Sequence, residues 1–342
     1  MENKKYSKQN MTLRDNVILA FQHKETYWVP NSYTDFDIVL QSTVNERYEG
    51  RESGTDEFGV TFTYVAEADA PMVMPGTHIL KDITKWREEV RFPDVDSYDW
   101  VSGAKRDTAG WDRENKFSIV MMFNGPFERL HALMGFEEAL IALIEEPEIV
   151  MEFIAEFQEY RKKLIRKIAE YYKPDAVMVF DDYGTAKDMM MSPDMWRRLI
   201  KPYLKQLIDV AHECGMYYIM HSCGYIKPIF QDIIELGPDA IQPMQYCNDV
   251  QELKKIYGKQ ITFTGGFNSN DTFDNAMASE DDMRSEVRRV LNTLGTDGSY
   301  IAWPVILSKH GEKIFIDEIM QNSAPKMFAK GVTPPEWAKA AL

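Results

Sequence analysis

From Tyr171 onward the chain repeats one unit five times: a short apolar run, a turn, then a helix with its own start and stop. The first run, "KPDAVMVFDDYG", ends in acids, and "SPDMWRRLIKPYLKQLIDVAHECG" follows it. Ser192 is a good N-cap, Pro193 suits the first helical turn and Gly215 suits a stop. Met195, Leu199, Tyr203, Leu207 and Val210 recur at helical spacing, and Pro202 should kink or divide this helix. The runs "MYYIMHSC", "DAIQPMQ", "QITFTGG" and "SYIAWPV" read as four further strands. Each is followed by a helical segment; "SEDDMRSEVRRVLNTLG" opens on a capping box from Ser279 to Asp282. Alternation of this kind requires a parallel sheet, either closed into a barrel or open and doubly wound.

The first half is less regular. "YWVPNSY" (Tyr27 to Tyr33) reads as a first barrel strand. "FSIVMMFNGPFE" (Phe117 to Glu128) reads as another, followed by the helix "ERLHALMGFEEALIALIEEP". Between them, "VTFTYVAEADAPMVMPGTHILKD" reads as an insertion of short strands and loops. No glycine-rich dinucleotide fingerprint, phosphate-binding loop or low-complexity linker is present. The expectation is therefore one elaborated barrel across residues 1–342, with an N-terminal elaboration. A chain of 342 residues with 44% hydrophobic residues can bury a core of that size.

The net charge of −15 argues against nucleic acid and anionic membranes as partners, since phosphates are met by Lys and Arg. Three cysteines cannot form a disulfide framework, and reduced cysteines suit the cytoplasm. The polar N-terminus "MENKKYSKQNMTLRDN" has no apolar core of a secretory leader. No apolar run approaches the roughly 20 residues that span a bilayer. A cytoplasmic protein that handles small molecules is expected.

In a parallel barrel the chemistry sits at the C-terminal ends of the strands. Those ends carry Asn31 and Tyr33, then Phe123 and Asn124, then Asp181, Asp182 and Tyr183. His221, Ser222 and Cys223 follow, then Gln245 and Cys247, then Gly265, Gly266 and Asn268, and last Trp303. His221 and Cys223 are two apart, so strand alternation points both to one side, where they could face one ion. Zinc favours such nitrogen and sulfur ligands. Neighbouring strands lie about 5 Å apart, which makes Cys247 the first candidate for a third ligand. Asp182 could instead ligate, or orient His221 from behind. The plainer possibility is a satisfied structural corner, because buried cysteine is a common apolar residue. Asp181 and Asp182 face opposite ways, and Asp182, beside the Tyr183–Gly184 turn, is the better candidate for the pocket. Cys214 and the "DMMM" run at Asp188 to Met191 read as packing. Lys309 and His310 belong to either rim or solvent.

The segment from "VFDDYGTAKDMMMSPDMW" through "HECGMYYIMHSCGYIKPIFQDIIELGPDAIQPMQ" resembles the uroporphyrinogen decarboxylase superfamily, on its corrinoid-dependent methyltransferase side. The acid pair at a strand end, the "SP..W...I.PYLK" helix, the "H.CG" strand end and "LKKIYGKQITFTGG" carry the likeness. Upstream, "DEFGVTF", "RFPDVDSYDW" and "GPFERLHALMGFEEAL" match as well, so it runs from about Leu13 to Lys330. The resemblance implies one TIM (β/α)8 barrel. True decarboxylases of this family carry an N-terminal arginine signature for a polycarboxylate, whereas "ETYWVPNSYTDFDIV" here has none. The methyltransferase branch implies zinc on an H-x-C pair, matched by His221 and Cys223, plus a later cysteine. That cysteine would fall near Ser299 to Leu307, where none occurs, so Cys247, an acid or another metal geometry must substitute.

The activity implied is zinc-assisted transfer of a methyl group from a small methylated donor, such as a methoxylated aromatic, to the cobalt of a separate corrinoid protein. Asp182 or Tyr183 would donate a proton or hold the substrate, and Asn31, Asn124 and Gln245 would line the site. Tyr33, Phe123, Tyr183, Tyr246 and Trp303 would form its aromatic wall. Two alternatives stand beside this: a metal-free porphyrinogen-type decarboxylase with Asp182 stabilising cationic intermediates, and a non-catalytic binder of small ligands.

Overall fold

The computed structural model describes residues 11–66 and 69–332. The first ten residues of the polar N-terminal segment, read above as having no leader, lie outside the described residues. The N-terminal half runs α1 (Leu13–Phe21), β1 (Phe36–Leu40), β2 (Gly54–Thr55), β3 (Thr61–Val65), β4 (Ala70–Val73), α2 (Trp86–Glu89) and α3 (Trp100–Asp107). Next come β5 (Phe117–Met122), α4 (Pro126–Met134), α5 (Phe136–Glu145) and α6 (Pro147–Tyr171). The regular half follows as β6 (Ala176–Phe180), α7 (Pro193–Leu199), α8 (Lys201–Glu213), β7 (Tyr217–His221), α9 (Phe230–Leu236) and β8 (Ala240–Met244). It closes with α10 (Val250–Tyr257), β9 (Thr262–Gly265), α11 (Glu280–Leu294), β10 (Tyr300–Ile301) and α12 (Lys309–Ala329).

Seven strands form one parallel sheet in the order β1-β5-β6-β7-β8-β9-β10. The sheet curls until its edges approach. Asn31 bridges Ala302 in parallel, and the Phe36 and Trp303 rings meet at 5.4 Å. This is an α/β barrel of the TIM type. Two expectations are corrected in detail. "YWVPNSY" is not a strand: only Asn31 pairs, and its side chain turns the chain by accepting the N–H groups of Tyr33 and Thr34. The first strand of the sheet is instead "FDIVL". The division expected at Pro202 is present, at Ile200 just before it, whereas the helix read from Glu128 onward is broken at Gly135, where φ is +100°.

Strand alternation sorts the apolar residues into two cores. Phe36, Phe117, Ile119, Ala176, Met178, Ile219, Ala240, Ile301 and Trp303 pack together inside the curl. Val120, Met122, Val177, Val179, Tyr218, Met220 and Ile241 face out and pack under the helices. Phe21 of α1 enters the inner cluster, stacking at 5.0 Å on Phe117 and lying tilted at 4.8 Å from Tyr217, the first residues of their strands. α1 therefore plugs the N-terminal end and leaves the C-terminal mouth for chemistry.

The insertion forms a three-stranded antiparallel sheet of β2, β3 and β4. Its neighbour Asp56 takes Arg129 of α4 at 2.7 Å, both side chains fully buried, and the Arg129 guanidinium lies 4.0 Å over Phe58. Arg161 of α6 holds Glu46 at 2.7 Å and the Phe123 carbonyl at 3.1 Å. Buried pairs like these fix geometry more than they add stability. Here they lock the elaboration onto the start of α4, beside the barrel mouth.

Candidate metal centre at the barrel mouth

His221 ends β7, in register with Phe180 on one side and Gln242 on the other. Its ring is buried and stacks on Phe180 at 3.8 Å. Nδ1 contacts the Gln242 Oε1, and an amide oxygen only accepts, so Nδ1 donates there. Nε2 is left facing the Cys223 Sγ at 3.4 Å and the Asp182 Oδ1 at 3.5 Å. One donor atom from each of Asp182, His221 and Cys223 lies within 4.8 Å of the others. Nitrogen, sulfur and carboxylate oxygen, with the histidine oriented by a carbonyl behind it, is a donor set that fits a zinc-type divalent ion.

The cluster exists because two loops touch. Asp182 lies just past β6 and Cys223 just past β7. The Cys223 N–H donates to the Asp182 Oδ1 at 2.7 Å, and the Tyr183 N–H to the Ser222 Oγ at 3.0 Å. Gly184 and Gly224 let the backbones meet. A Cβ on Gly224, where φ is +79°, would lie 2.1 Å from the Gly184 carbonyl carbon.

Burial alone would raise the Asp182 carboxyl, but the His221 ring and the Cys223 N–H hold it below the usual range. Burial and the Asp182 charge push the Cys223 thiol up. A cation placed among these groups would reverse that and favour the thiolate.

Asp181 faces the other way. It is buried and accepts from the Tyr183 hydroxyl at 2.6 Å and the Glu128 N–H at 2.8 Å, bracing the start of α4. Tyr183 follows it outward: the ring is fully buried, set edge-on to Trp196, and its hydroxyl is spent on Asp181. The Tyr183 hydroxyl, expected to donate a proton or hold the substrate, is thus engaged on Asp181, away from the His221–Cys223 cluster. Cys247 is also placed apart from the expectation. It sits in a 3₁₀ turn at Tyr246–Asn248, on the cavity wall, with the Asn248 Nδ2 3.6 Å from its sulfur. Asp182 stands in the third position of the cluster.

Of the other expected site residues, Gln245 and Trp303 line the cavity at the mouth. Phe123 packs tilted against Phe180 at 4.3 Å and lines a smaller recess with Arg47, whose guanidinium lies 4.8 Å over it. Asn124 is buried and donates to the Glu46 carbonyl at 3.2 Å. Asn31 is buried in its own turn, and Tyr33 packs on Phe315 at 5.5 Å. Asn31, Tyr33 and Asn124 are not among the residues lining the cavity.

Sequence reasoning missed Glu128, in the first turn of α4, where an acid reads as ordinary helix-dipole complement. Its Oε2 is buried without a hydrogen-bond partner. Burial first, then the Asp182 and Asp181 charges, push its carboxyl up to about 8. Its place in the first helical turn after β5, six residues past Met122, was the available signal. Between its ordinary value and about 8, the folded metal-free protein keeps a proton that the unfolded chain releases, so stability falls as pH rises through that window. Glu128→Gln is expected to flatten that fall in melting temperature measured from pH 5 to pH 8. It will not abolish it, because burial also pushes Asp35 and Asp181 to about 7. An unchanged slope would contradict this assignment.

The cavity above β7 to β10 has a volume of about 460 Å³. Met244, Phe267 and Trp303 give it apolar surface, and Cys223 reaches it from the cluster. A barrel with convergent polar groups at this end is built as an enzyme. The chain belongs to the uroporphyrinogen decarboxylase family: the family model described as Uroporphyrinogen decarboxylase (URO-D) matches residues 55–304, well over half of it. A methyltransferase from Methanosarcina mazei shares the fold at 16% identity and a TM-score of 0.67, covering 91% of this chain and 98% of that one. A 3-keto-D-glucoside 4-epimerase from E. coli aligns at 10% identity and a TM-score of 0.36, over 68% of this chain and 95% of its own. No curated protein sequence matches the chain. Among the described residues no helix is long and apolar enough to cross a membrane.

Proposed function

We propose that the protein is a methyltransferase that moves a methyl group from a small methoxylated aromatic to the cobalt of a corrinoid carried by a separate protein. The observation that carries this reading is the His221–Cys223–Asp182 donor cluster at the barrel mouth, opening onto the cavity through Cys223. The fold shared with a methyltransferase supports it.

The chemistry sets three demands. An ether methyl is hard to displace because alkoxide and phenoxide leave poorly, so the oxygen must be polarised or protonated. A zinc ion held by His221, Cys223 and Asp182 would supply Lewis acidity at that oxygen. The C–O bond breaks with its electron pair on oxygen, the methyl carbon joins the reduced cobalt, and the oxygen takes up a proton. Asp182, held ionised, is a ligand rather than that proton's source. We assign the donor role to Glu128, whose buried carboxyl is pushed up by burial and the Asp182 charge in the metal-free protein. Trp303, Met244 and Phe267 hold the ring and exclude water.

A porphyrinogen decarboxylase is disfavoured, because among the described residues no lysine or arginine lines the cavity to receive carboxylates. A degraded, non-catalytic site loses its main support if Asp182 supplies the third donor beside His221 and Cys223. The test is a panel of methyl donors incubated with the protein and reduced corrinoid, read by the cob(I)alamin to methylcobalamin spectrum. A methyl ether is expected to drive the change. A silent panel of ethers, amines, thiols and methanol would overturn the assignment.

A further inference from the structure

The charge around the cavity narrows the donor further, given the methyl-transfer reading. Its polar wall consists of carboxamides at Gln245, Asn268 and Asn270, small hydroxyls and backbone. Among the described residues, the one acidic side chain in the wall is Asp274, and no basic side chain lines it. Asp274 accepts the N–H groups of Leu307 at 2.8 Å and Ser308 at 2.7 Å, which fixes its carboxylate at the rim.

Two arginines near the mouth are already matched. Arg289 lies behind Tyr246, 5.3 Å from the ring, with Nε and Nη2 on Glu286 at 2.7 Å each and the same Nη2 on the Gly266 carbonyl at 3.1 Å. Arg47 belongs to the separate recess beneath Phe123 and sits 3.1 Å from Glu49. The metal centre adds no net charge: a divalent ion is balanced by one thiolate and one carboxylate, with a neutral imidazole. A ligand carboxylate entering this cavity would shed water and meet carboxamides and a like charge. An uncharged arene would lose nothing comparable.

We propose that the cavity selects uncharged methoxyarenes and rejects their carboxylated analogues. The full-length, zinc-loaded protein should be titrated at pH 7 with 2-methoxyphenol and with 3-methoxybenzoate, reading heat by calorimetry and quenching of tryptophan fluorescence. The phenol is expected to bind at least about tenfold more tightly, a gap of about 1.4 kcal/mol. Asn270→Lys, which places a cation on the wall, is expected to raise the affinity of the benzoate relative to the phenol. Equal or tighter binding of the benzoate by the unmodified protein, or binding of neither probe, would overturn the inference. Selective binding of the phenol without methyl transfer would leave charge selection standing and remove the methyltransferase reading instead.

Discussion

Cys223→Ala and His221→Ala proteins are expected to purify folded, with metal content reduced from about one equivalent to less than about a tenth, and without methyl transfer. Each change removes one of three donors that lie within 4.8 Å of one another. Neither removes a large share of the core: Cys223 is only partly buried, and Phe180 keeps its contact with Phe123 when the imidazole goes. Gln242→Leu tests the layer behind. It deletes the acceptor that fixes the His221 ring, and a loss of this kind typically weakens metal binding about 10–100-fold. Asp182→Asn and Cys247→Ala separate the two candidates for the third ligand. The asparagine variant should lose metal and the alanine variant should keep it. The reverse pattern, read by metal analysis, would reinstate Cys247.

The second large effect lies in a glycine. Gly224→Ala should abolish the site, and much of the soluble protein with it. A side chain at φ +79° costs on the order of 1–3 kcal/mol in backbone strain alone. The added carbon would also meet main chain at 2.1 Å, and main chain yields less readily than a side chain. Relief requires the loops after β6 and β7 to part, which pulls Asp182 from Cys223 and breaks their 2.7 Å hydrogen bond. Gly237→Ala is the matched control: it shares the left-handed backbone, at φ +75°, but has open space around it. It should cost the strain and spare the metal. Equal metal loss in both variants would show that strain, rather than loop contact, governs the site.

The regular half of the barrel was legible because each strand is a short, largely buried run rich in apolar residues and closed by its own turn. β1 was not. "FDIVL" is short, mostly half-buried and flanked by polar residues, whereas "YWVPNSY" has the aromatic look of a strand. What decides between them is the Asn31 side chain, which captures two N–H groups that a strand would have paired.

In the site, period-two alternation correctly put His221 and Cys223 on one side. The same rule places Tyr183 with Asp181 and against Asp182, which is what the buried Tyr183–Asp181 hydrogen bond shows. The third donor was harder. Strand adjacency pointed to Cys247, but the chain turns into a 3₁₀ helix directly after Gln245 and lays that sulfur on the cavity wall. Asp182 reaches the cluster only because two glycines, forty residues apart in sequence (Gly184 and Gly224), let two loops touch. No local pattern encodes that contact. Glu128 escaped for a related reason, since its burial is set by the elaboration that Arg129 and Asp56 clamp onto α4.

The central claim is that methyl transfer depends on a metal held at this mouth. The direct measurement is the rate of cob(I)alamin methylation by a methoxyarene, with the protein as purified, after chelation, and after return of zinc. About one zinc per chain, loss of transfer on chelation and recovery with one equivalent of zinc is the expected result. Transfer at full rate by metal-stripped protein would contradict it.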